Sequence, residues 1–360
     1  MADQPVVAPQ APTPALSNNE QQAKGGKKRK MLIAAVIAAV VVLGGSAGAY
    51  FGYVVPNKPE NVLKVAIQNT LRQKQAKTSG TINLEDPTPG DSEIKALSAA
   101  FKIQGDIDKK VSSFETEISF GGVKLPVEGR MVNGSLFFKI GDLTSVEAAA
   151  RISNPEIAEI IKLVGSKISN QWIEMDSAFM KQSGTDCFLD DGGLTEQDIN
   201  MIGNAYSKHK AVKVKNSSSD TVNGQASTRY ELTVDKSKIK DFAKSMKELP
   251  LVKKLNKCGE KLGQGNDVGS KAADDGEKAE LEVSVWVNKS TKTINQMEVK
   301  INSKEAKGTV KATIEYGGVD VSKPAGAKPF IEVFSDLAPL FGFGGGGTDF
   351  SMPVPGSSEL

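Results

Sequence analysis

The sequence predicts an α+β fold in which helices cover one face of a large, curled antiparallel sheet, preceded by a single transmembrane helix. Three observations predict this class. Short runs of alternating apolar and polar residues, typical of strands with one buried face, recur through most of the chain. Helical periodicity is confined to a few separated segments, so strands and helices do not alternate as in a parallel sheet. One uncharged stretch near the amino end is long enough to cross a bilayer.

The transmembrane prediction rests on residues 31–55, which contain no charged side chain. As a helix this segment would be roughly 37 Å long, enough to cross a hydrocarbon core of about 30 Å. A basic cluster precedes it directly, and such clusters stay on the cytoplasmic side. We therefore expect a single-pass protein of the cell membrane, with a cytoplasmic amino terminus and an extracytoplasmic carboxyl-terminal domain. The orienting cations are Lys27, Lys28, Arg29 and Lys30.

A cleaved secretory signal is the alternative interpretation of the same segment. Residues 31–43 would form its apolar region, and Ala47-Gly48-Ala49 has the small-residue pattern of a cleavage site. The apolar run nevertheless continues through Tyr50 and Phe51, and these aromatic residues suit the outer membrane–water interface. We expect a retained anchor, and the mass of the mature amino terminus decides between the two.

Composition divides the chain into four parts. Residues 1–30 are rich in Pro, Ala and Gln, which predicts a disordered cytoplasmic tail that ends in the basic cluster. The transmembrane helix occupies residues 31–55. Residues 57–325 are expected to form the extracytoplasmic α+β domain, as one large unit or two smaller ones. Residues 326–360 are expected to contain a short helix over 330–341 and then a Gly-rich disordered tail.

Turn signals and periodicity place the elements of the domain. Asn133-Gly134 and Asn223-Gly224 each separate two strand-like runs, and Asn-Gly is the strongest short hairpin signal. The pattern predicts about nine to eleven strands, and a sheet of that size tends to curl. A first helix is expected over residues 58–77. A second, over residues 155–165, has an apolar stripe expected to face the core, formed by Ile157, Ile160, Ile161 and Val164. Further helices are predicted at about 195–208 and after Asp235.

The two cysteines, Cys187 and Cys258, both fall on the extracytoplasmic side of the predicted anchor. The expected state is a single disulfide, because that compartment is oxidising. It would close a loop of about 70 residues and stabilise the fold by on the order of 4 kcal/mol. Two unpaired thiols are the alternative.

No cofactor, metal or catalytic constellation is predicted, so we do not expect an enzyme. The net charge of +2 provides no broad basic field for nucleic acid. The single histidine, His209, lies among lysines at a predicted helix end, which is an ordinary surface position. Acidic residues near Asp190 and Asp198 do not have the spacing of a calcium loop. Trp172 and Trp286 fall in predicted strands, where packing beneath a helix is favoured over stacking on sugar.

Three stretches carry a resemblance to a known family: residues 132–138 (VNGSLFF), 171–175 (QWIEM) and 230–235 (YELTVD). Together with a leading helix and helices inserted mid-chain, they resemble the LolA/LppX/LprG-like bacterial lipoprotein-carrier superfamily over residues 58–320. The resemblance implies a half-open β-barrel, or half-barrel, around an apolar cavity that holds acyl chains. The chain departs from that family in lacking a lipobox cysteine and in having a transmembrane helix, which argues against a freely diffusing carrier.

Two functions are therefore expected as alternatives. In the first, the ectodomain binds a lipid or lipid-linked molecule in an apolar cavity of the half-barrel, with the bilayer as its other partner. In the second, it is a structural or adhesion protein of a bacterial envelope, with a filled core and no ligand. The sequence identifies no protein partner. The candidate lining residues of the first alternative are Phe101, Phe114, Ile118, Phe138, Tyr230 and Val285.

Overall fold

A computed structural model describes residues 58–85, 96–182, 194–250, 252–254, 256, 280–303 and 307–337. The predicted cytoplasmic tail, the anchor at 31–55, the Gly-rich tail, and the proposed disulfide partners Cys187 and Cys258 lie outside these residues. None of the helices within the described ranges combines the length and apolar character that a membrane crossing requires.

The predicted α+β class is confirmed: the described residues form one open sheet of 12 strands together with helices. The strand order is β12-β6-β5-β4-β3-β2-β1-β11-β10-β9-β8-β7. All neighbours pair antiparallel except β12 and β6, which are parallel. The strands are β1 (Gln75–Glu85), β2 (Ala96–Asp106), β3 (Val111–Phe120), β4 (Val123–Val132), β5 (Ser135–Ile140), β6 (Ile173–Met175), β7 (Val212–Val222), β8 (Gln225–Val234), β9 (Glu280–Asn288), β10 (Ile294–Asn302), β11 (Lys307–Tyr316) and β12 (Lys328–Pro329).

The helices differ from the sequence prediction in three places. The first ends at Leu71, and residues 75–85, which were partly assigned to it, form β1 between β2 and β11. The helices over Thr144–Ser153 and Ser177–Gln182 were not predicted. The helices are α1 (Pro59–Leu71), α2 (Thr144–Ser153), α3 (Pro155–Ile168), α4 (Ser177–Gln182), α5 (Glu196–His209), α6 (Lys236–Lys247) and α7 (Phe330–Leu337).

Both predicted Asn-Gly hairpins are confirmed. Asn133 and Gly134 have φ of 54° and 76°, and Asn223 and Gly224 have φ of 47° and 75°. Two successive residues with positive φ define the tight turn whose twist matches that of the flanking strands. These turns fix the registers of β4 with β5 and of β7 with β8.

The pairing registers show that two groups of helices pack on the same face of the sheet. Partner residues on neighbouring strands point to the same side. One such row runs through Ile173, Phe138, Gly129, Phe114, Ile103, Thr78 and Ile314. One end of it, Phe138 and Ile173, packs with residues of α3 and α7. The other end, Ile314, packs beneath α1. We call this side the apolar face and the opposite side the polar face.

Hydrogen bonds as well as apolar contacts hold α1 on the sheet. Thr70 Oγ1 accepts from the Ile294 amide at 2.8 Å. The Tyr316 hydroxyl donates to the Ile294 carbonyl and lies 3.2 Å from Thr70 Oγ1. Asn69 Nδ2 donates to the carbonyl of Lys292 at 3.2 Å. The carboxyl end of α1 is therefore fixed to the β9–β10 turn.

A connecting segment, residues 317–327, crosses the polar face and carries the chain from β11 to β12. We call it the crossover segment. The Gln104 side chain donates a hydrogen bond to the Asp320 carbonyl at 3.3 Å. The Arg130 guanidinium donates to the Ser322 carbonyl at 3.1 Å. Lys323 forms an ion pair with Glu174 at 2.9 Å. These contacts hold β2, β4 and β6 to the crossover segment, which is distant from all three strands in sequence.

Substitution of Gly80 by alanine is expected to destabilise the fold. A Cβ at this position would collide with the backbone carbonyl of Lys311 and lie 2.6 Å from Phe101 Cζ. Overpacking of this kind costs about 1–3 kcal/mol. Gly105 in β2 is the matched control, since its added Cβ would lie 3.7 Å from the nearest atom, in Ser112.

Gly105→Ala is expected to stabilise by about 0.4–1 kcal/mol, because it restricts the unfolded chain. Urea unfolding of both variants measures the difference. Equal effects of the two substitutions would contradict the close approach of β1, β2 and β11 at Gly80.

Candidate binding surface

The six predicted lining residues share the apolar face but lie in three different environments. Tyr230 and Val285 are cross-strand partners, only 7% and 4% exposed, in a cluster capped by Leu63 and Ala66 of α1. Phe138 is half-buried and packs with α3 and α7. The remaining three, Phe101, Phe114 and Ile118, lie on β2 and β3 between the two helix groups.

The centre of the apolar face is open to solvent. Ile103 and Phe114 are direct partners on β2 and β3, and they are 43% and 39% exposed. Exposed large apolar side chains on the face that elsewhere forms the core are unusual, which makes this region a candidate binding surface. We call Phe101, Ile103, Phe114 and Ile118 the open patch.

Two glycines shape the open patch. The Phe114 ring stands over Gly129 on β4, and the Phe101 ring stands over Gly80 on β1. Because neither glycine has a side chain, both rings lie against the backbone of a neighbouring strand. The patch is therefore a shallow aromatic surface with rings laid along the sheet.

A strand-only cluster adjoins the open patch. Ile82, Leu84, Ile301 and Val310 are buried, and Phe101 packs against them. All described members of this cluster come from β1, β2, β9, β10 and β11. The open patch thus passes continuously into buried apolar residues on the side towards β10.

The polar face carries a second concavity, a groove of about 560 Å³ over β1 to β4 and β11. Its charged rim includes Lys102, Glu115 and Glu128. Glu115 lies between the other two in the cross-strand row, opposite a residue of unlike charge on β2 and one of like charge on β4. Glu128 is paired with Lys139 at 2.6 Å. Lys102 with Glu115 and Lys139 with Glu128 place opposite charges on facing strands, which stabilises a solvated sheet face.

Neither tryptophan lies beneath a helix of the described residues, which corrects the sequence-based expectation. Trp172 lies under two cations on the polar side, Arg130 at 4.8 Å and Lys139 at 5.1 Å from the ring centroid. Trp286 donates from Nε1 to Asp220 at 2.7 Å and is covered by Arg229 at 5.2 Å. The hydrogen bond from Trp286 lowers the pKa of Asp220.

The described residues hold no cluster of three or more His, Cys, Asp or Glu side chains suited to a metal ion. His209 Nε2 lies 2.8 Å from Ser245 Oγ and joins α5 to α6. Asp198 closes the capping box of α5, where its Oδ2 accepts from the Thr195 amide and hydroxyl. These contacts assign both residues to helix packing and capping.

One residue of the open patch was absent from the predicted lining set. Ile103 continues the alternation of Leu97, Ala99 and Phe101, so the sequence placed it on the apolar face. The packing of α1 and α3, which local sequence does not specify, determines that Ile103 is the exposed residue among these four.

Comparisons of the chain with protein-family models and with curated proteins find no match. The fold and the open patch therefore carry the functional argument by themselves.

Proposed function

We propose that this chain is a membrane-anchored, extracytoplasmic binding protein of a bacterial envelope. Its ligand is a lipid or lipid-linked molecule, whose acyl chain lies on the apolar face of a sheet curled into a half-barrel. The observation that carries the proposal is the open patch, where Ile103 and Phe114 remain solvent-exposed between two helix groups. The resemblance to lipoprotein carriers supports the same ligand class.

The physical basis is the burial of hydrocarbon. Each methylene removed from water contributes about 0.8 kcal/mol. An acyl chain laid over Ile103 and Phe114 would also remove those two side chains from water, and Phe101 with its strand-only cluster would continue the apolar contact. The patch contains no charged side chain, so the tail of the ligand rather than its headgroup contacts it.

A structural or adhesion protein with a filled core is the second candidate. One observation favours it: Tyr230 and Val285 are packed beneath Leu63 and Ala66 of α1. Under this alternative the open patch is ordinary surface, and no lipid is retained.

The variant Ile103→Asp is expected to lose bound lipid. A carboxylate in the open patch would have to be desolvated by the acyl chain, at a cost of several kcal/mol. The matched control is Ile107→Asp, which changes an even more exposed isoleucine in the β2–β3 connection, outside the patch. Both substitutions fall at solvent-exposed positions, so both variants are expected to fold.

Native mass spectrometry of the full chain in mild detergent measures the lipid retained per chain. Annular lipid around the anchor is the same in both variants, so it cancels in the comparison. Lipid retained by Ile107→Asp and lost by Ile103→Asp supports the proposal. Equal retention, or none in the unmodified chain, supports the filled-core alternative.

A further inference from the structure

A second apolar surface is formed by helices α2, α3 and α7, away from the open patch. Ile152 at the end of α2 is 90% exposed. On α3, Ile157, Ile160 and Leu163 are each 47–48% exposed, and Ile331 on α7 is about half exposed. We call these five side chains the aliphatic patch.

The aliphatic patch lies on a different side of α3 from the side that packs against the rest of the protein. Ala158 and Gly165 are the buried residues of this helix, and Val164 and Ile168 pack with Phe330 and Val333 of α7. The sequence predicted that Ile157 and Ile160 would face the core, and the structure instead leaves them in solvent. A helix that is apolar on its solvent side as well is typical of a docking element.

We infer that the aliphatic patch docks on the bilayer that holds the chain's own anchor; the inference rests on the anchored topology of the proposed function. The uncharged stretch ends at Val55, and α1 begins at Pro59. The connection of a few residues reaches at most about 3.6 Å per residue. The amino end of α1 is therefore held close to the membrane surface. Because α1 and α3 pack on the same face of the sheet, the helix layer that carries the aliphatic patch is the side turned towards lipid.

The charges beside the patch favour an uncharged lipid surface over a charged partner. Arg151 pairs with Glu147 at 2.6 Å and with Glu159 at 3.2 Å. Lys162 lies 4.0 Å from the same Glu159. Since these charges are balanced within the hairpin of α2 and α3, docking depends on apolar burial and needs no anionic lipid.

Docking in this position also gives the open patch access to lipid. Residues of α3 and α7 pack on Phe138, which is separated from Phe114 only by Gly129 in the cross-strand row. An acyl chain that leaves the bilayer along α3 reaches the open patch over one strand of the sheet.

The test uses the full chain inserted in nanodiscs of phosphatidylcholine that contain a brominated acyl chain. Ile160→Trp reports contact with lipid, because interfacial helices sink about 5–10 Å into the headgroup and acyl boundary. Glu117→Trp on the polar face is the matched control, since Glu117 is an exposed member of the charged groove. Emission of the unmodified chain is subtracted for Trp172 and Trp286.

We expect bromolipid to quench the added tryptophan at position 160 by about half or more, and the one at position 117 not at all. Raising the salt concentration should leave the quenching unchanged. Absence of quenching at position 160 in a nanodisc-inserted chain would overturn the docking while leaving the anchor intact. Failure of the chain to insert would overturn anchor and docking together.

Self-association is the remaining outcome. A detergent-solubilised dimer that Ile157→Ser with Ile160→Ser converts to a monomer would overturn bilayer docking in favour of a second copy of the chain. Lipid retention at the open patch is measured separately, so a failed docking test does not decide the proposed function.

Discussion

Replacement of Phe137 by alanine is expected to lower the free energy of unfolding by about 3–5 kcal/mol. Phe137 is 1% exposed, the largest of the fully buried side chains in the described residues. It lies on β5 between Arg130 and Glu174 on the polar face. Lys323 of the crossover segment covers its ring at 5.2 Å. Removal of the ring leaves a cavity beneath a segment that cannot refill it.

The Phe137→Ala substitution is also expected to weaken the contacts that hold the crossover segment on the sheet. Arg130 donates to the Ser322 carbonyl, and Lys323 pairs with Glu174, on either side of Phe137. Chemical unfolding of the full chain in mild detergent measures the effect. Phe114→Ala is the matched control, because the same truncation at a side chain that is 39% exposed should cost less than half as much. Equal losses would contradict the burial of Phe137 beneath the crossover segment.

Stability is expected to fall steeply between about pH 10 and pH 12 because of two partly buried tyrosines. Burial raises the pKa of Tyr206 to about 12, and the negative charge of Glu60 adds to the effect. Burial likewise raises the pKa of Tyr316 to about 12, against smaller opposing effects of hydrogen bonds with Thr70 and Thr293. The ordinary tyrosine value is about 10.

Folding favours the neutral phenol, so the stabilisation is complete below the unfolded pKa of about 10 and is lost as the pH rises towards the folded value of about 12. A difference of about two pKa units between the folded and unfolded states corresponds to a loss of about 2–3 kcal/mol in the free energy of unfolding for each tyrosine. Ionised Tyr316 would also lose the hydrogen bond that its hydroxyl proton makes to the Ile294 carbonyl.

Phenylalanine variants isolate this effect from the titration of lysines. The Tyr206 hydroxyl is buried and has no hydrogen-bond partner among the described residues, so Tyr206→Phe is expected to keep full stability at neutral pH and to reduce the alkaline loss. Tyr316→Phe should cost about 1–2 kcal/mol at neutral pH and also reduce the alkaline loss. Urea unfolding at a series of pH values measures both. Alkaline curves parallel to that of the unmodified chain would refute the assignment.

Local signals predicted the parts of the fold that local geometry determines. The two Asn-Gly hairpins are correct because the turn residues themselves adopt positive φ. The start of α5 at Thr195 is correct because its capping box is complete within four residues. The alternation of apolar residues likewise placed Phe101 and Phe114 on the face that the helices occupy.

Contacts between segments that are distant in sequence explain where the sequence-based predictions were wrong. Residues 75–77 were assigned to the first helix, but they pair in β1 with the end of β11, whose Tyr316 lies far along the chain. Phe137 would be solvent-exposed on an alternating strand, yet the crossover segment buries it. The exposure of Ile157 and Ile160 depends on where α3 packs, which its own stripe does not specify.

The same reasoning applies to the open patch. The sequence identified the row of side chains that could line a cavity, and the packing of α1, α3 and α7 determines which of them remain accessible. Tyr230 and Val285 lie beneath α1, whereas Ile103 and Phe114 remain exposed. This division makes the lipid-binding proposal specific to β2 and β3.

Photocrosslinking with an acyl-diazirine phosphatidylcholine, followed by peptide mapping of the full chain in nanodiscs, tests the central claim most directly. Binding of the acyl chain at the open patch predicts adducts on the peptides that carry Ile103 and Phe114, reduced by Ile103→Asp and unchanged by Ile107→Asp. Adducts confined to residues 31–55, with none on β2 or β3, would contradict the account.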